Sequence, residues 1–244
     1  MTSPLTPPPV TSPPVTQPPA IQPSAIQPPA IQPRILPYGD HAILVDWSAD
    51  KFSDRINDTV HALAAKLRKS GKYREIVPGY DSLVCVFDLA KRSADATKRH
   101  IEDILARDIS SETKTGKTID IPVHYAGDSG PDIERICEAS KLTLDEVIAL
   151  HSGQTYRVCM MGFIPGFTFL SPAPKALHHP RLETPRAKVP AGSVGIANWQ
   201  TGIYGLESPG GWQIIGRTPL SIFDAKREAP FLLEAGDHVR FIPQ

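Results

Sequence analysis

At 244 residues the chain is longer than a single core of ordinary size requires, and two modest domains of roughly 100–200 residues each are expected. Hydrophobic residues make up 41% and charged residues 21%, near the globular norm, so most of the length can bury a core. The 26 basic residues balance the 26 acidic ones, which leaves no net field to draw in a nucleic-acid backbone or an anionic membrane. No apolar run approaches the ~20 residues of a membrane helix, and the N-terminus lacks the basic start and apolar stretch of a secretion signal. A cytoplasmic location is therefore expected, with neither nucleic acid nor membrane as partner. Cys85, Cys137 and Cys159 are odd in number and far apart, so neither a disulfide framework nor a zinc cage is indicated.

Residues 1–33 carry no charged side chain and read from Pro8 as a five-residue repeat, PPVTS, PPVTQ, PPAIQ, PSAIQ, PPAIQ. Proline at this density removes backbone donors and fixes φ, which predicts a disordered, polyproline-II-rich tail with no core of its own. It reads as a passive extension; the other reading is a ligand for proline-binding domains.

From Arg34 the pattern changes. Strands are predicted at 34–36 and 42–47 around a Tyr38-Gly39-Asp40 turn. Apolar Ile56, Val60, Leu63, Ala64 and Leu67 recur at helical spacing over 53–70, with Ser53 as a cap and Gly71 closing the end. A strand at 73–77, a turn at Pro78-Gly79-Tyr80-Asp81, a strand at 82–87, a helix at 93–106 and a strand at 118–123 follow. The order β-α-β-β-α-β predicts a ferredoxin-like α+β domain, placed at 34–115. Thr143-Leu144-Asp145-Glu146 is a capping box opening a helix that runs to His151. Beyond it, 154–244 alternates short β-rich runs with glycine and proline turns, as a sandwich or barrel does, and the second domain is placed at 116–244.

Familiar chemical motifs are absent in their working contexts. Gly116-Lys117-Thr118 ends like a phosphate-binding loop, but Ser111 occupies the first glycine position and a strand follows. Ala191-Gly192-Ser193-Val194-Gly195 resembles a nucleophile elbow, yet β-prone residues follow where a helix is needed. Adjacent His178 and His179 point to opposite faces of an extended strand and cannot share a metal. His124 and His151 have no partner at ligand spacing, and His151 reads as a satisfied structural residue.

What distinguishes the chain is the density of special residues between Met161 and Pro219. Glycine lets a backbone approach a ligand, and Arg186, Lys188 and Arg217 supply donors for carboxylate or phosphate. Gln200, Thr201 and Tyr204 add neutral hydrogen-bonding groups, and Phe163 and Trp212 lie in the same runs. These residues predict a polar, loop-built pocket or a subunit surface. The competing reading is that the glycines and prolines only shape barrel corners, with the arginines paired to acids such as Glu183, Glu207 and Asp224.

The runs VPAGSVGIA, QTGIY, ESPGGWQIIGRTPL, GFIPGF, PR-x-x-TPR at 180–186 and AGDHVRFIP resemble the family of 5-oxoprolinase B subunits, also called allophanate hydrolase subunit 1 or KipI. YGDHAILVD and EIVPGYDSLVCVFD match more loosely, and only the proline-rich tail lies outside. The resemblance implies a cyclophilin-like β-barrel for the C-terminal domain. It also implies a complex with a C subunit and an A subunit, cleaving 5-oxo-L-proline to L-glutamate with ATP and Mg engaged at the level of the complex. Within that reading, residue type nominates Arg217 and Gln200 as catalytic, and Thr201, Tyr204, Arg186, Lys188, Phe163 and Trp212 as substrate-binding.

The chain departs from the family pattern in three places. Ala126-Gly127-Asp128-Ser129 replaces a Gly-Gly-Glu-type run, Gly205 replaces a proline, and Asn198-Trp199 replaces a smaller glycine-containing pair. Two alternatives follow from the same resemblance. One is a KipI-like inhibitor of a sporulation histidine kinase; the other is a carboxyl-transfer unit of urea carboxylase type, although no Met-Lys-Met biotin-carrier context is present.

Overall fold

The computed structural model describes residues 32–48, 51–107 and 116–244. The expectation for the proline-rich tail falls almost wholly outside them.

The first layer is an antiparallel sheet of four strands, β1 (Arg34–Pro37), β2 (Ala42–Asp46), β3 (Glu75–Pro78) and β4 (Ser82–Val86), in the order β1-β2-β4-β3. Helix α1 (Asp54–Lys69) packs on β3 and β4, and α2 (Ala94–Leu105) packs on β2 and α1. Both helices start where a serine side chain satisfies an orphan amide: Ser53 accepts from Ile56 N at 3.4 Å and Ser93 from Ala96 N at 3.2 Å. Gly71, at φ +65°, ends α1 in the left-handed region that glycine tolerates. The apolar stripe read from the sequence is the stripe that is buried: Ile56, Val60, Leu63, Ala64 and Leu67 pack with Trp47, Leu83, Phe87 and Ile101. Burying one such side chain contributes about 1.5–3 kcal/mol.

The strand expected at 118–123 does not close this sheet. It is β5 (Thr118–Tyr125), and it pairs in parallel with β13 (His238–Pro243), Ile121 lying opposite Phe241. Its inward side chains Ile121 and Val123 join the core of the second unit, so the expected β-α-β-β-α-β order lacks its sixth member. The remaining strands are β6 (Thr155–Met161), β7 (Thr168–Leu170), β8 (Arg186–Val189), β9 (Ser193–Ala197), β10 (Gln200–Ile203), β11 (Ser208–Gly210) and β12 (Gln213–Arg217). Seven strands close a barrel in the order β10-β7-β6-β13-β5-β12-β9, while β8 and β11 form a separate two-stranded sheet. Closure leaves the barrel with no free edge.

Two helices follow β5. Helix α4 (Leu144–Ser152) has the expected capping box, with Thr143 and Glu146 satisfying each other's backbone amides. Helix α3 (Ile133–Ser140) is not foreseen by the sequence reading, because eight residues with Ile133 and Ile136 as the buried pair carry too little periodicity. No helix among the described residues is long and apolar enough to cross a membrane.

Polar contacts from α1 join the two units. Asn57, fully buried, donates from Nδ2 to Tyr80 O at 2.9 Å and to Cys159 O at 3.1 Å, and its Oδ1 accepts from Arg157 Nε at 3.3 Å. His61 Nε2 donates to the same Cys159 carbonyl at 2.7 Å, and Arg157 forms an ion pair with Asp58. Tyr80 completes the seam, its hydroxyl donating to Leu170 O at 2.8 Å.

Candidate functional site

The residues nominated between Met161 and Pro219 are distributed over distinct surroundings, because strands of a barrel send alternate side chains inward and outward.

Arg217 ends β12 at one mouth of the barrel, opposite Ser193 of β9 on one side and His124 of β5 on the other. A cleft of about 480 Å³ opens there, lined by Arg217, His124, Ser129, Leu206, Ser221 and Phe223 among others. Arg217 Nε donates to Ala191 O at 3.0 Å, and among the described residues no carboxylate pairs with its guanidinium. Gly192, at φ +81°, lets the chain turn tightly beneath it, and Thr218 N donates to Gly192 O at 2.9 Å. A guanidinium with no carboxylate partner among the described residues, sharing a cleft with the His124 imidazole and the Ser129 hydroxyl, is a donor set for a carboxylate or phosphate oxygen. Ser193, 1% exposed, is not presented to this cleft as a nucleophile would be.

The other two cations are neutralised within the chain. Arg186 Nη2 meets Asp132 Oδ1 at 2.6 Å, and the other Asp132 oxygen accepts from Ile214 N at 2.7 Å. Asp132 is buried at the start of α3, so this pair ties β8 and β12 to that helix. Lys188 pairs with Glu207 at 3.0 Å on an exposed rim. Here the reading of cations matched to nearby acids holds; at Arg217 it does not.

Thr201 faces inward. Its hydroxyl donates to Gly195 O at 3.0 Å, so its oxygen accepts from His151 Nε2, also at 3.0 Å. That fixes the tautomer: Nδ1 is the acceptor and takes the Tyr125 hydroxyl proton at 2.9 Å. Burial pushes the His151 imidazole down to about 3, leaving it neutral. The chain Tyr125–His151–Thr201 is thus a satisfied polar thread through the barrel core, which agrees with the structural role expected for His151 and encloses the Thr201 hydroxyl.

Tyr204, Trp212 and Phe163 lie together on the outer wall. Glycines flatten that wall: a Cβ on Gly202 would stand 3.2 Å from the Trp212 ring and 3.3 Å from Phe167. Phe167 touches Tyr204 at 4.8 Å and Trp212 at 5.2 Å between ring centroids, both edge-to-face. Phe163 stands beside them, 67% exposed and held at φ +67°, a conformation that costs a non-glycine residue about 1–3 kcal/mol. With Arg181 and Pro185 these rings bound a cavity of about 310 Å³. Burial pushes the Tyr204 phenol up to about 12.

Gln200 belongs to neither place. Its side chain hydrogen-bonds the Tyr80 hydroxyl at the seam between the two units. A cleft of about 720 Å³ lies along that seam, walled by Phe52, Tyr80, Met160, Pro172 and Trp199.

Sequence reasoning did not connect His124 to Arg217, because their adjacency comes from the pairing of strands separated by most of the second unit. Nor did it foresee the seam aromatics. The signal for those was the Trp at position 199 in place of a smaller residue.

Comparison with known proteins places this geometry. Residues 33–233 match the family described as Carboxyltransferase domain, subdomain C and D. The chain is 37% identical over 216 residues to the B subunit of 5-oxoprolinase from Bacillus subtilis (strain 168), covering 84% of this chain and 90% of that one. It is 41% identical over 186 residues to the B subunit of 5-oxoprolinase from Escherichia coli O157:H7, covering 75% and 83%. Among solved structures, TTHA0988 superposes with a TM-score of 0.71 at 34% identity, covering 83% of this chain; this chain spans only 40% of that longer one. The K. lactis urea amidolyase shares the fold at a TM-score of 0.72 and 19% identity, over 87% of this chain and 15% of that one.

Proposed function

The chain belongs to the family of 5-oxoprolinase B subunits, and from that premise we propose that it is one subunit of a complex that hydrolyses 5-oxo-L-proline to L-glutamate with ATP. The partners are a C subunit and an A subunit. On this reading the four-stranded α+β unit is accessory, 116–244 is a cyclophilin-like barrel, and the barrel mouth at Arg217 is this subunit's contribution to the site.

The need for ATP is chemical. An unstrained lactam carbonyl is a poor electrophile. Moving the γ-phosphoryl group of ATP to the lactam oxygen releases ADP and activates the carbon. Water adds there, the ring C–N bond breaks to leave an acyl phosphate, and a second water releases phosphate and glutamate. Charge gathers on phosphoryl and carboxylate oxygens throughout, so oriented cations are what the reaction demands. Arg217, which pairs with no carboxylate among the described residues and lies beside His124, meets that demand; it is the observation that carries the assignment. Mg belongs with the nucleotide at the level of the complex.

The test is co-purification with the A and C subunits followed by an assay of glutamate release that depends on both ATP and 5-oxoproline. An assembled complex that is inert towards 5-oxoproline ends this reading. A second reading, a carboxyl-transfer unit, is favoured by the family description and by the fold shared with urea amidolyase. Biotin-dependent carboxylation of urea by the chain with a biotin carboxylase partner would establish it instead.

A further inference from the structure

We propose that the cleft along the seam between the two units is a docking groove for the chain's own proline-rich repeats, residues 8–32. The groove has the make-up that such segments need. Tyr80 is pinned by its bond to Leu170 O at 2.8 Å, and its ring meets Trp199 at 5.0 Å and 73° and Phe52 at 5.9 Å and 87°. These rings meet in edge-to-face contact and, with Met160 and Pro172, wall the cleft with aromatic and apolar surface. Aromatic-lined grooves accept proline-rich segments, and a polyproline II segment binds with little loss of conformational entropy, since proline has already restricted it.

The chain supplies a matching occupant. Four of the five units present a Pro-Pro pair and the fourth presents Pro-Ser, and residues 2–33 carry no charge. The groove asks for none: Lys51 and Asp81 at its edge offset each other, and the rest of the lining is aromatic, apolar or neutral apart from His178. Thirty-one residues precede Gln32, where the described structure begins. At ~3.1 Å per residue they extend roughly 95 Å, about twice the ~45 Å diameter of a fold this size, so the repeats distant from the tether have the length to reach the groove. Five near-identical repeats also multiply the registers that can bind.

Trp199 reports occupancy directly. It is 37% exposed, whereas Trp47 and Trp212 are 1% and 5% exposed, so collisional quenching of tryptophan fluorescence by acrylamide reads Trp199. The comparison is between the full-length chain and a full-length variant with every proline from Pro8 to Pro33 replaced by serine. A tethered segment at an effective concentration on the order of 1 mM half-fills a groove of comparable intrinsic Kd, so quenching rises about twofold in the variant. A synthetic peptide of residues 18–32 added to the variant restores the protection. Equal quenching of the two proteins, or a peptide that gives no protection, overturns the proposal. Protection that disappears on dilution assigns the groove to a second copy's repeats and overturns it as well.

Discussion

His151 and Thr201 are bonded across the closed interior of the barrel, Nε2 to Oγ1 at 3.0 Å, fifty positions apart in the chain. The threonine proton is committed to Gly195 O, so the histidine must donate here and accept from Tyr125, and the neutral ring is the form that satisfies every partner.

Stability should fall on mild acidification. An unfolded histidine protonates near pH 6.5, while the buried ring does so only at about 3. Between those values the unfolded chain binds the extra proton, so stability is intact above about 6.5 and is lost as pH falls, by up to ~1.4 kcal/mol per unit. The ring stacks on Phe241 and packs against Tyr125 and Tyr156, none of which titrates in that window. Half-buried His61, lowered chiefly by desolvation, acts in the same direction. Urea melts at pH 7.5 and pH 5 should differ by about 2 kcal/mol from His151 alone; matching midpoints would refute this account.

Thr201→Val keeps the shape and removes the hydroxyl. The His151 N–H and the Gly195 carbonyl lose their partner inside the barrel, which costs about 1–3 kcal/mol. Chemical denaturation measures the loss, and a neutral result would mean that water replaces the hydroxyl.

Asn57→Ala removes the amide that bridges Tyr80 O, Cys159 O and Arg157. Because Asn57 is fully buried, the expected loss is about 2–3 kcal/mol. Proteolysis at the seam, read by mass spectrometry, should accelerate with it. If neither stability nor cleavage changes, the seam is held by Arg157–Asp58 and Tyr80 without it.

Gly205→Ala should disturb the loop that carries Phe163. An added Cβ would lie 2.6 Å from both Gly166 Cα and Pro165 O, so backbone must move. A loss of about 1–3 kcal/mol is expected. A crystal structure of the variant with residues 163–167 unmoved would show that the crowding is relieved elsewhere.

Arg217→Ala tests the barrel mouth. The side chain is exposed and bonds one loop carbonyl, so folding should change by no more than about 0.5 kcal/mol. Turnover of the assembled complex should fall on the order of a hundredfold, as for loss of one charge-stabilising donor. Assembly followed by size exclusion separates the two effects, and unchanged turnover in an intact complex removes Arg217 from the site.

Local features were readable where local physics decides them. The stripe Ile56–Val60–Leu63–Leu67 with Ser53 ahead and Gly71 behind specifies α1, and Thr143 with Glu146 specifies the start of α4. The runs around VPAGSVGIA and ESPGGWQIIGRTPL, which form β9 and β12, carried the family resemblance.

What the sequence determined, then, is three helices, a second unit built of short strands, and the family. Tertiary structure alone decided that β5 pairs with β13 rather than with the first sheet, because both sheets offer a β-rich strand the same backbone bonds and only the burial of Ile121 and Val123 against Phe241 and Val239 chooses. It likewise sent Thr201 inward, Tyr204 outward and Arg217 to the mouth. Strand alternation and barrel closure set those directions, and neither is visible until the strand partners are known.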